Sequence, residues 1–262
     1  MPSVTTLRRG RQRWAGGLAG ALVLAALAWS VGPAAADVAP GNVPYDGRRG
    51  VFVRLRYDMA RSLAGGFFRQ DVKWAHDYPR AERNLTKILE AVTHVNPFQG
   101  PNGGNVLALD DPELHKFPFA YMSEPGFWYP TDAEVLGLRN YMLKGGFVVF
   151  DDFWGDHWRN FDAQLQRVLP GARPLPMELD HPVFQSFFDI KTLEMPGPYG
   201  PPVEFHGVFE DNDSSGRLMA IVNFNNDIGE YWEFSNTGVY SVDLTNEAYK
   251  FGVSYMVYAL TH

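Results

Sequence analysis

The chain is organised around an apolar run at residues 147–150 that ends abruptly in two aspartates, Asp151 and Asp152. A run without a polar position has no face suited to water, so it predicts a central strand covered on both sides. Before it, Thr131 and Glu134 have the spacing of a capping box, and apolar residues at helical spacing follow them. The sequence therefore predicts a capped helix, a buried strand and an acidic turn, and ligands of open α/β sheets bind at such turns.

Short apolar runs alternate with amphipathic segments along the rest of the chain. Strands are predicted at residues 51–58, 106–109, 117–122, 147–150 and 218–222, a strand followed by a loop within 203–217, helices at 79–92, 131–145, 158–169 and 245–260, and a loop at 228–244. Arg54 and Arg56 share one face of the first strand, which predicts a position near a sheet edge. The alternation predicts an α/β fold with a mostly parallel sheet between helical layers, as one domain at residues 51–262.

Residues 1–36 have the three parts of a secretory signal peptide, namely several arginines, a short apolar middle and small residues before Asp37. We expect cleavage after Ala36 and export to the periplasm or the extracellular space. Residues 37–50 are then a leader between the cleavage site and the domain. The alternative is an uncleaved signal anchor that keeps residues 15–32 in the membrane.

Charge and cysteine content exclude several functions. Residues 1–36 hold four of the 23 basic residues and none of the 30 acidic ones, so the rest of the chain carries 19 basic residues and a net charge of −11. Such a surface repels phosphate backbones, so nucleic acid is not expected as a partner. The chain has no cysteine, which excludes disulfides, thiolate metal sites and a cysteine nucleophile.

Acidic residues follow four of the predicted strands. They are Asp58, Asp110 with Asp111, Asp151 with Asp152, and Asp227 after Asn226; further candidates in the loops are Asp156, His157, Asp180 and His181. If the strands are parallel, the acids after them meet at one edge of the sheet. Carboxylates with an imidazole suit Mg²⁺, Ca²⁺ or Mn²⁺, or Zn²⁺ when two histidines take part. A carboxylate beside such an ion is also able to act as a general base towards water.

Each of these residues also has a structural interpretation. An aspartate after a strand commonly caps the following helix by accepting from its free N–H groups. His181, which precedes Pro182, also fits a hydrogen-bonded structural residue. Trp154 belongs to a group of aromatic residues near the same loops, and such rings either bind sugars together with carboxylates or close the core beneath the loops.

Several segments together resemble a known family. They are residues 74–84, 145–155, 180–182, 225–227, 231–233 and 252–261. The chain resembles the bacterial domain-of-unknown-function family numbered 4159 over about residues 50–262. That family is similar in turn to ThuA-like and class I glutamine amidotransferase-like proteins, which implies a three-layer α/β/α sandwich with a flavodoxin-like sheet. In ThuA-like proteins a Gly-Gly strand and a later His-Pro occupy places comparable to Gly145-Gly146 and His181-Pro182.

The chain departs from the amidotransferase pattern at the turn after the central strand. Amidotransferases carry a cysteine nucleophile there, whereas Asp151 or Asp152 stands at the nearest equivalent position. A carboxylate does not replace a thiolate in that mechanism, so glutamine hydrolysis of this type is excluded.

Three functional hypotheses follow, and the third is a structural partner of an envelope assembly, which predicts a large exposed apolar patch away from the acidic turn. The leading one is an exported, non-amidotransferase domain that binds a small molecule, a carbohydrate or an envelope protein at the acidic edge without turnover. Its candidate residues are Asp58, Asp110, Asp151, Asp152, Trp154, Asp180, His181, Asn226 and Asp227, and it predicts that Asp151→Asn weakens binding while the fold survives. The alternative is a metal-assisted hydrolase or carbohydrate-modifying enzyme with a divalent cation as cofactor. It assigns Asp151, Asp152 and His181 as metal ligands or general base and requires them to lie close together.

Overall fold

The computed structural model describes residues 52–59, 71–98 and 103–262. Its strands are β1 (Val53–Arg56), β2 (Asn105–Ala108), β3 (Phe119–Ser123), β4 (Phe147–Phe153), β5 (Leu175–Pro176), β6 (Glu204–Phe209) and β7 (Leu218–Phe224). Its helices are α1 (Arg80–Val92), α2 (Asp132–Leu143), α3 (His157–Val168), α4 (Ile228–Glu233) and α5 (Val242–Thr261). The signal peptide and leader predicted for residues 1–50 lie outside the described residues.

The described strands form one sheet in the order β2-β1-β3-β4-β7-β6-β5. The first five in this order are parallel, and β6 and β5 join β7 as antiparallel strands. The prediction of an α/β fold with a mostly parallel sheet is therefore confirmed. Ser123 pairs with Asp151 at the carboxyl ends of β3 and β4, so the polar residues after these two strands begin side by side.

The middle strand β4 packs on both of its faces. Val148 and Phe150 belong to a core cluster that includes residues of α2 and α3. Phe147 and Val149 belong to a second cluster that includes residues of α1, α4 and α5. These four side chains are at most 3% exposed, and burial of each contributes about 1.5–3 kcal/mol. The uninterrupted apolar run thus forms a strand that is buried on both faces, as predicted.

The strand β4 continues past its predicted end at Phe150 and includes both aspartates. Its register with β7 shifts between Phe150 and Phe153, and Asp152 has a φ of 64°. An irregularity of this kind bends a strand and re-aims its side chains. Asp151 and Asp152 are therefore fully buried within the last residues of β4 instead of lying beyond its end.

The buried Arg54 connects β1 to the segment before α1. β1 lies between β2 and β3, so it is an interior strand next to the edge strand, with Arg54 buried and Arg56 exposed. The Arg54 guanidinium forms an ion pair with Glu82 of α1 and donates to the carbonyls of Trp74 and His76 at 3.0 and 2.9 Å. The turn that carries His76 is thereby fixed to the sheet.

Two helical segments differ from the sequence prediction. α4 forms in a stretch predicted as loop, since six residues are too few to show helical periodicity. α5 begins at Val242, before the predicted Thr245, because Ser241 caps it by accepting from the amide of Leu244. Within the described residues, no helix combines the length and the apolar character that crossing a bilayer requires.

Candidate functional site

A cluster of ionisable side chains lies at the carboxyl end of β4. His76 and Asp77 reach it from the turn before α1, Asp152 from β4, and Asp227 from the N-cap of α4. One potential ligand atom from each of the four lies within 4.8 Å of the others. The three aspartates are buried and His76 is partly exposed. We call these four residues the acid cluster.

The carboxylate of Asp152 accepts from three directions. The Tyr199 hydroxyl donates to Oδ1 at 2.6 Å. His76 Nδ1 and Ser123 Oγ lie 2.9 and 3.1 Å from Oδ2. Asp152 is therefore held by groups from β3, from the turn before α1 and from the loop after residue 195, in a left-handed backbone conformation uncommon for a residue with a side chain.

The carboxylate of Asp77 is different, because neither of its oxygens accepts a hydrogen bond among the described residues. The side chain is 3% exposed, and its nearest described cationic contact is His76 Nδ1, 3.5 Å from Oδ1. α4 approaches it closely: a Cβ on Gly229 would lie 2.6 Å from Asp77 Oδ2, so only glycine fits there. A buried carboxylate without donors is costly unless a proton or a cation balances it.

The carboxylate of Asp227 has two roles. Its Oδ1 accepts from the amide of Glu230 at 2.8 Å and caps α4, as the capping interpretation predicts. Its Oδ2 lies 3.1 Å from the Tyr199 hydroxyl, which also donates to Asp152. The Tyr199 ring stacks on Trp154 with centroids 3.9 Å apart. Tyr199 therefore covers the acid cluster, and Trp154 holds it there.

Asp151 lies beside the acid cluster and is fully bonded. Its Oδ2 accepts from the Tyr121 hydroxyl at 2.7 Å and from the amides of Ile228 and Gly229 at 3.0 and 3.1 Å. Its Oδ1 accepts from Asn223 Nδ2 at 3.0 Å. Through these hydrogen bonds Asp151 fixes the start of α4, and thereby the position of Asp227.

Burial and mutual repulsion raise the proton affinity of the site. Burial, together with neighbouring carboxylates, raises the pKa of Asp77 and of Asp227 well above the ordinary range. Burial lowers the pKa of His76, but the charges of Asp77 and Asp152 outweigh it and raise that pKa to about 11. Burial and the charge of Asp152 raise the pKa of Glu124 to about 8. The raised pKa values of His76, Asp77 and Asp227 therefore favour their protonated forms unless another cation takes the place of the protons.

Other residues predicted from the sequence also lie at this end of β4. Asn226 is buried, and its Oδ1 accepts from the amide of Asp227 at 3.0 Å. Trp154 reaches the acid cluster through Tyr199, and its ring also contacts that of His157, 4.4 Å away. Of the predicted candidates, the structure thus brings together Asp151, Asp152, Asp227, Asn226 and Trp154.

The remaining predicted residues lie elsewhere. Asp58 and Asp110 are exposed: Asp110 lies in a turn after β2, and Asp58 lies between β1 and the bridge that Met59 forms with Trp128. Asp180 is also exposed. His181 is packed between the rings of Phe209 and Tyr258, and its Nδ1 accepts from the amide of Val183. His181 thus has the structural environment described as its alternative, apart from Asp151 and Asp152.

Several residues of the site were not singled out from the sequence. His76 and Asp77 lie in a turn before a helix, and a search for acids after strands does not reach them. Tyr199 comes from a segment rich in proline and glycine, where no periodicity indicates its direction. The one available signal was the run at residues 74–84, which carried the family resemblance and contains His76-Asp77.

The fold and the site define an α/β domain with a mostly parallel sheet and a buried cluster of carboxylates at its carboxyl edge. Over residues 51–260 the chain matches the family described as Domain of unknown function (DUF4159). The chain belongs to that family, which confirms the family predicted from its residues. A comparison with curated proteins found no match.

Proposed function

We propose that the chain is an exported α/β domain that binds a divalent cation, and through it an oxygen-rich small molecule, at the acid cluster. The observation that carries the proposal is Asp77, a buried carboxylate without a hydrogen-bond donor among the described residues. Its oxygens lie in a group whose ligand atoms are within 4.8 Å of one another. A cation in their midst would contact all four residues and balance the charge that burial leaves uncompensated.

The donor set indicates the kind of cation. The three carboxylates are hard ligands and the one imidazole is a borderline ligand, a set dominated by oxygen that suits Mg²⁺, Mn²⁺ or Ca²⁺ more than a thiolate-seeking metal. The stacked rings of Trp154 and Tyr199 beside the cluster support a carbohydrate or another small molecule as the second ligand, since aromatic faces pack against such molecules.

Further parts of the proposal rest on the sequence together with the fold. Helices on both faces of β4 support the three-layer α/β/α sandwich with a flavodoxin-like sheet that the ThuA-like resemblance implies. The signal-peptide pattern of residues 1–36 supports export, with residues 37–50 as a leader and residues 51–262 as a single domain. The net charge supports partners other than nucleic acid.

A second candidate function is metal-assisted hydrolysis, and Glu124 favours it. This buried carboxyl lies 3.1 Å from Lys73 Nζ, and burial together with the charge of Asp152 raises its pKa to about 8. A group that exchanges its proton near neutral pH is suited to general acid–base catalysis. In this second candidate function, His76 takes the role of metal ligand or general base that the sequence-based hypothesis assigned to His181.

Asp77→Asn tests the proposal on the full-length chain after removal of metal with a chelator. Titration calorimetry with Mn²⁺, Mg²⁺ and Ca²⁺ should show binding to the wild type and an affinity at least about 10-fold lower in the variant, since amides are weaker ligands than carboxylates. Asp180→Asn changes an exposed aspartate away from the cluster and should leave the affinity unchanged.

Thermal unfolding followed by circular dichroism establishes that both variants are folded. The proposal is wrong if the wild-type chain binds none of the three cations, or if folded Asp77→Asn binds them as tightly as the wild type does.

A further inference from the structure

A second group of carboxylates lies next to the acid cluster and shares one member with it. Glu230 and Glu233 are three residues apart in α4, so both project from the same side of that helix. One oxygen from each lies within 4.8 Å of an oxygen of Asp77. Asp77 therefore belongs to two overlapping groups of potential ligands.

The second group has its own unpartnered atom. Glu233 is 4% exposed, and its Oε2 has no hydrogen-bond partner among the described residues. Its Oε1 faces Arg80 Nη1 at 3.9 Å, which is beyond hydrogen-bonding distance. The Tyr240 hydroxyl donates to Glu230 Oε1 at 2.9 Å. Each glutamate thus places one oxygen within 4.8 Å of an oxygen of Asp77, and the Glu233 carboxylate has an oxygen that no described donor occupies.

We infer that the site holds a pair of divalent cations bridged by the carboxylate of Asp77. One cation is bound by His76, Asp152 and Asp227, and the other by Glu230 and Glu233. This inference rests on the proposed function and deepens it. The ligand it assigns is a pair of hard divalent cations, with Mn²⁺ as the most convenient probe.

The number of carboxylates at the site favours two divalent cations over one. The two groups together contain five carboxylates. One divalent cation at the acid cluster balances two of these charges and leaves Glu230 and Glu233 beside Asp77 with the Arg80 guanidinium, 3.9 Å from Glu233 Oε1, as a single nearby positive charge from the described residues of α1. Two divalent cations balance four. A bridging carboxylate offers one oxygen to each ion, and proteins hold such pairs about 3.5–4 Å apart.

The stoichiometry of Mn²⁺ binding tests the inference on the chelator-treated full-length chain. Titration calorimetry should give two equivalents per chain, and low-temperature electron paramagnetic resonance should show the broadened signal of two coupled Mn²⁺ ions. Glu233→Gln should reduce the stoichiometry to one and restore the signal of an isolated ion. Glu194→Gln, at an exposed position, is the matched control and should retain two.

The possible results separate this inference from the proposed function. A single equivalent in the wild type, or two equivalents without coupling, overturns the bridged pair and leaves cation binding by the acid cluster intact. No binding overturns both. If Glu233→Gln does not fold, Glu230→Gln removes a different ligand of the same ion, and the wild-type stoichiometry decides the question by itself.

Discussion

At the scale of single residues, Tyr199 lies against two carboxylates of the acid cluster. Its hydroxyl lies 2.6 Å from Asp152 Oδ1 and 3.1 Å from Asp227 Oδ2, yet it has one hydrogen for two acceptors. It reaches the site from a segment whose neighbouring residues Pro198 and Gly200 are exposed. The hydroxyl hydrogen of Tyr199 therefore compensates part of the negative charge of the acid cluster.

Tyr199→Phe should separate the stability of the metal-free protein from its response to cations. Without the hydroxyl, Asp152 and Asp227 lose a donor, so the free energy of unfolding in chelator should fall by about 1–2 kcal/mol. A bound cation compensates the same carboxylates, so the increase in Tm on adding saturating Mn²⁺ should be larger in the variant than in the wild type. Differential scanning calorimetry with and without Mn²⁺ measures both quantities.

The control for this variant is Tyr141→Phe, which removes a hydroxyl that donates to the carbonyl of Phe147 at 3.4 Å, at the opposite end of β4 from the acid cluster. It should lower stability without changing the Mn²⁺-induced increase in Tm. A smaller increase in Tyr199→Phe than in the wild type would contradict the role assigned to Tyr199.

At the scale of elements, the short helix α4 depends on an anchor outside itself. A six-residue helix is not stable alone in water, and the first two amides of α4 donate to the Asp151 carboxylate of β4. Because Asp227, Glu230 and Glu233 all belong to α4 or its cap, the hydrogen bonds between β4 and α4 set the position of three of the six candidate ligands.

Asp151→Ala should destabilise the protein strongly, because it leaves four buried donors without an acceptor. We expect a loss of about 3–5 kcal/mol in the free energy of unfolding, measured by urea denaturation. Asp151→Asn keeps the shape and one acceptor oxygen, so its loss should be smaller, about 1–2 kcal/mol. Asp156→Asn changes an exposed N-cap residue without a side-chain capping bond, and its effect should stay within about 0.5 kcal/mol. A loss in Asp151→Ala no larger than in the Asp156 control would refute the anchoring role.

Locally encoded elements were predictable from the sequence. The capping box of α2 is present as the pattern of Thr131 and Glu134 indicates, and the apolar run of β4 is buried on both faces. The sequence predicted that the aspartates after β4 and β7 lie together, because parallel strands end at the same edge of a sheet. Asp58 and Asp110 also follow parallel strands, yet they are exposed, because the direction of strand pairing does not determine which way the following segment directs its side chains.

Long-range contacts determine the part of the site that the sequence did not indicate. His76 reaches the acid cluster because Arg54, more than 20 positions earlier, holds its carbonyl, and no local pattern encodes that contact. An arginine in a strand favours an exposed edge on average, whereas here Glu82 compensates it inside the protein. The family resemblance indicated the importance of residues 74–84 without indicating their chemistry.

At the scale of the whole molecule, the fold gathers acidic groups into its interior although the chain already carries a net negative charge. Repulsion among these groups opposes folding when all are ionised. Protonation relieves the repulsion, so the stability of the metal-free protein should depend on pH.

The stability of the metal-free protein should fall as the pH rises from about 4 to about 8. Burial raises the folded-state pKa of Asp151 from 3.8 to about 6 and that of Glu124 from 4.5 to about 8, so the folded state binds more protons than the unfolded state in this window. The raised pKa of His76 acts in the same direction at higher pH. Each unit of raised pKa corresponds to about 1.4 kcal/mol, so Tm in chelator should drop by several degrees across the window.

Differential scanning calorimetry at a series of pH values measures this dependence. Glu124→Gln removes one of the titrating groups and should flatten the slope, whereas Mn²⁺ should restore stability most at the alkaline end. A Tm in chelator that rises steadily between pH about 4 and about 8 would contradict the charge balance described here.

The backbone conformation of two aspartates has a consequence for the evolution of the sequence. Asp77 and Asp152 have φ values of 63° and 64°, a conformation that costs a side-chain-bearing residue about 1–2 kcal/mol and glycine almost nothing. Descendants of a common ancestor can therefore relieve backbone strain by exchanging either aspartate for glycine. Selection for a negative charge at those two points would be the force that opposes such an exchange.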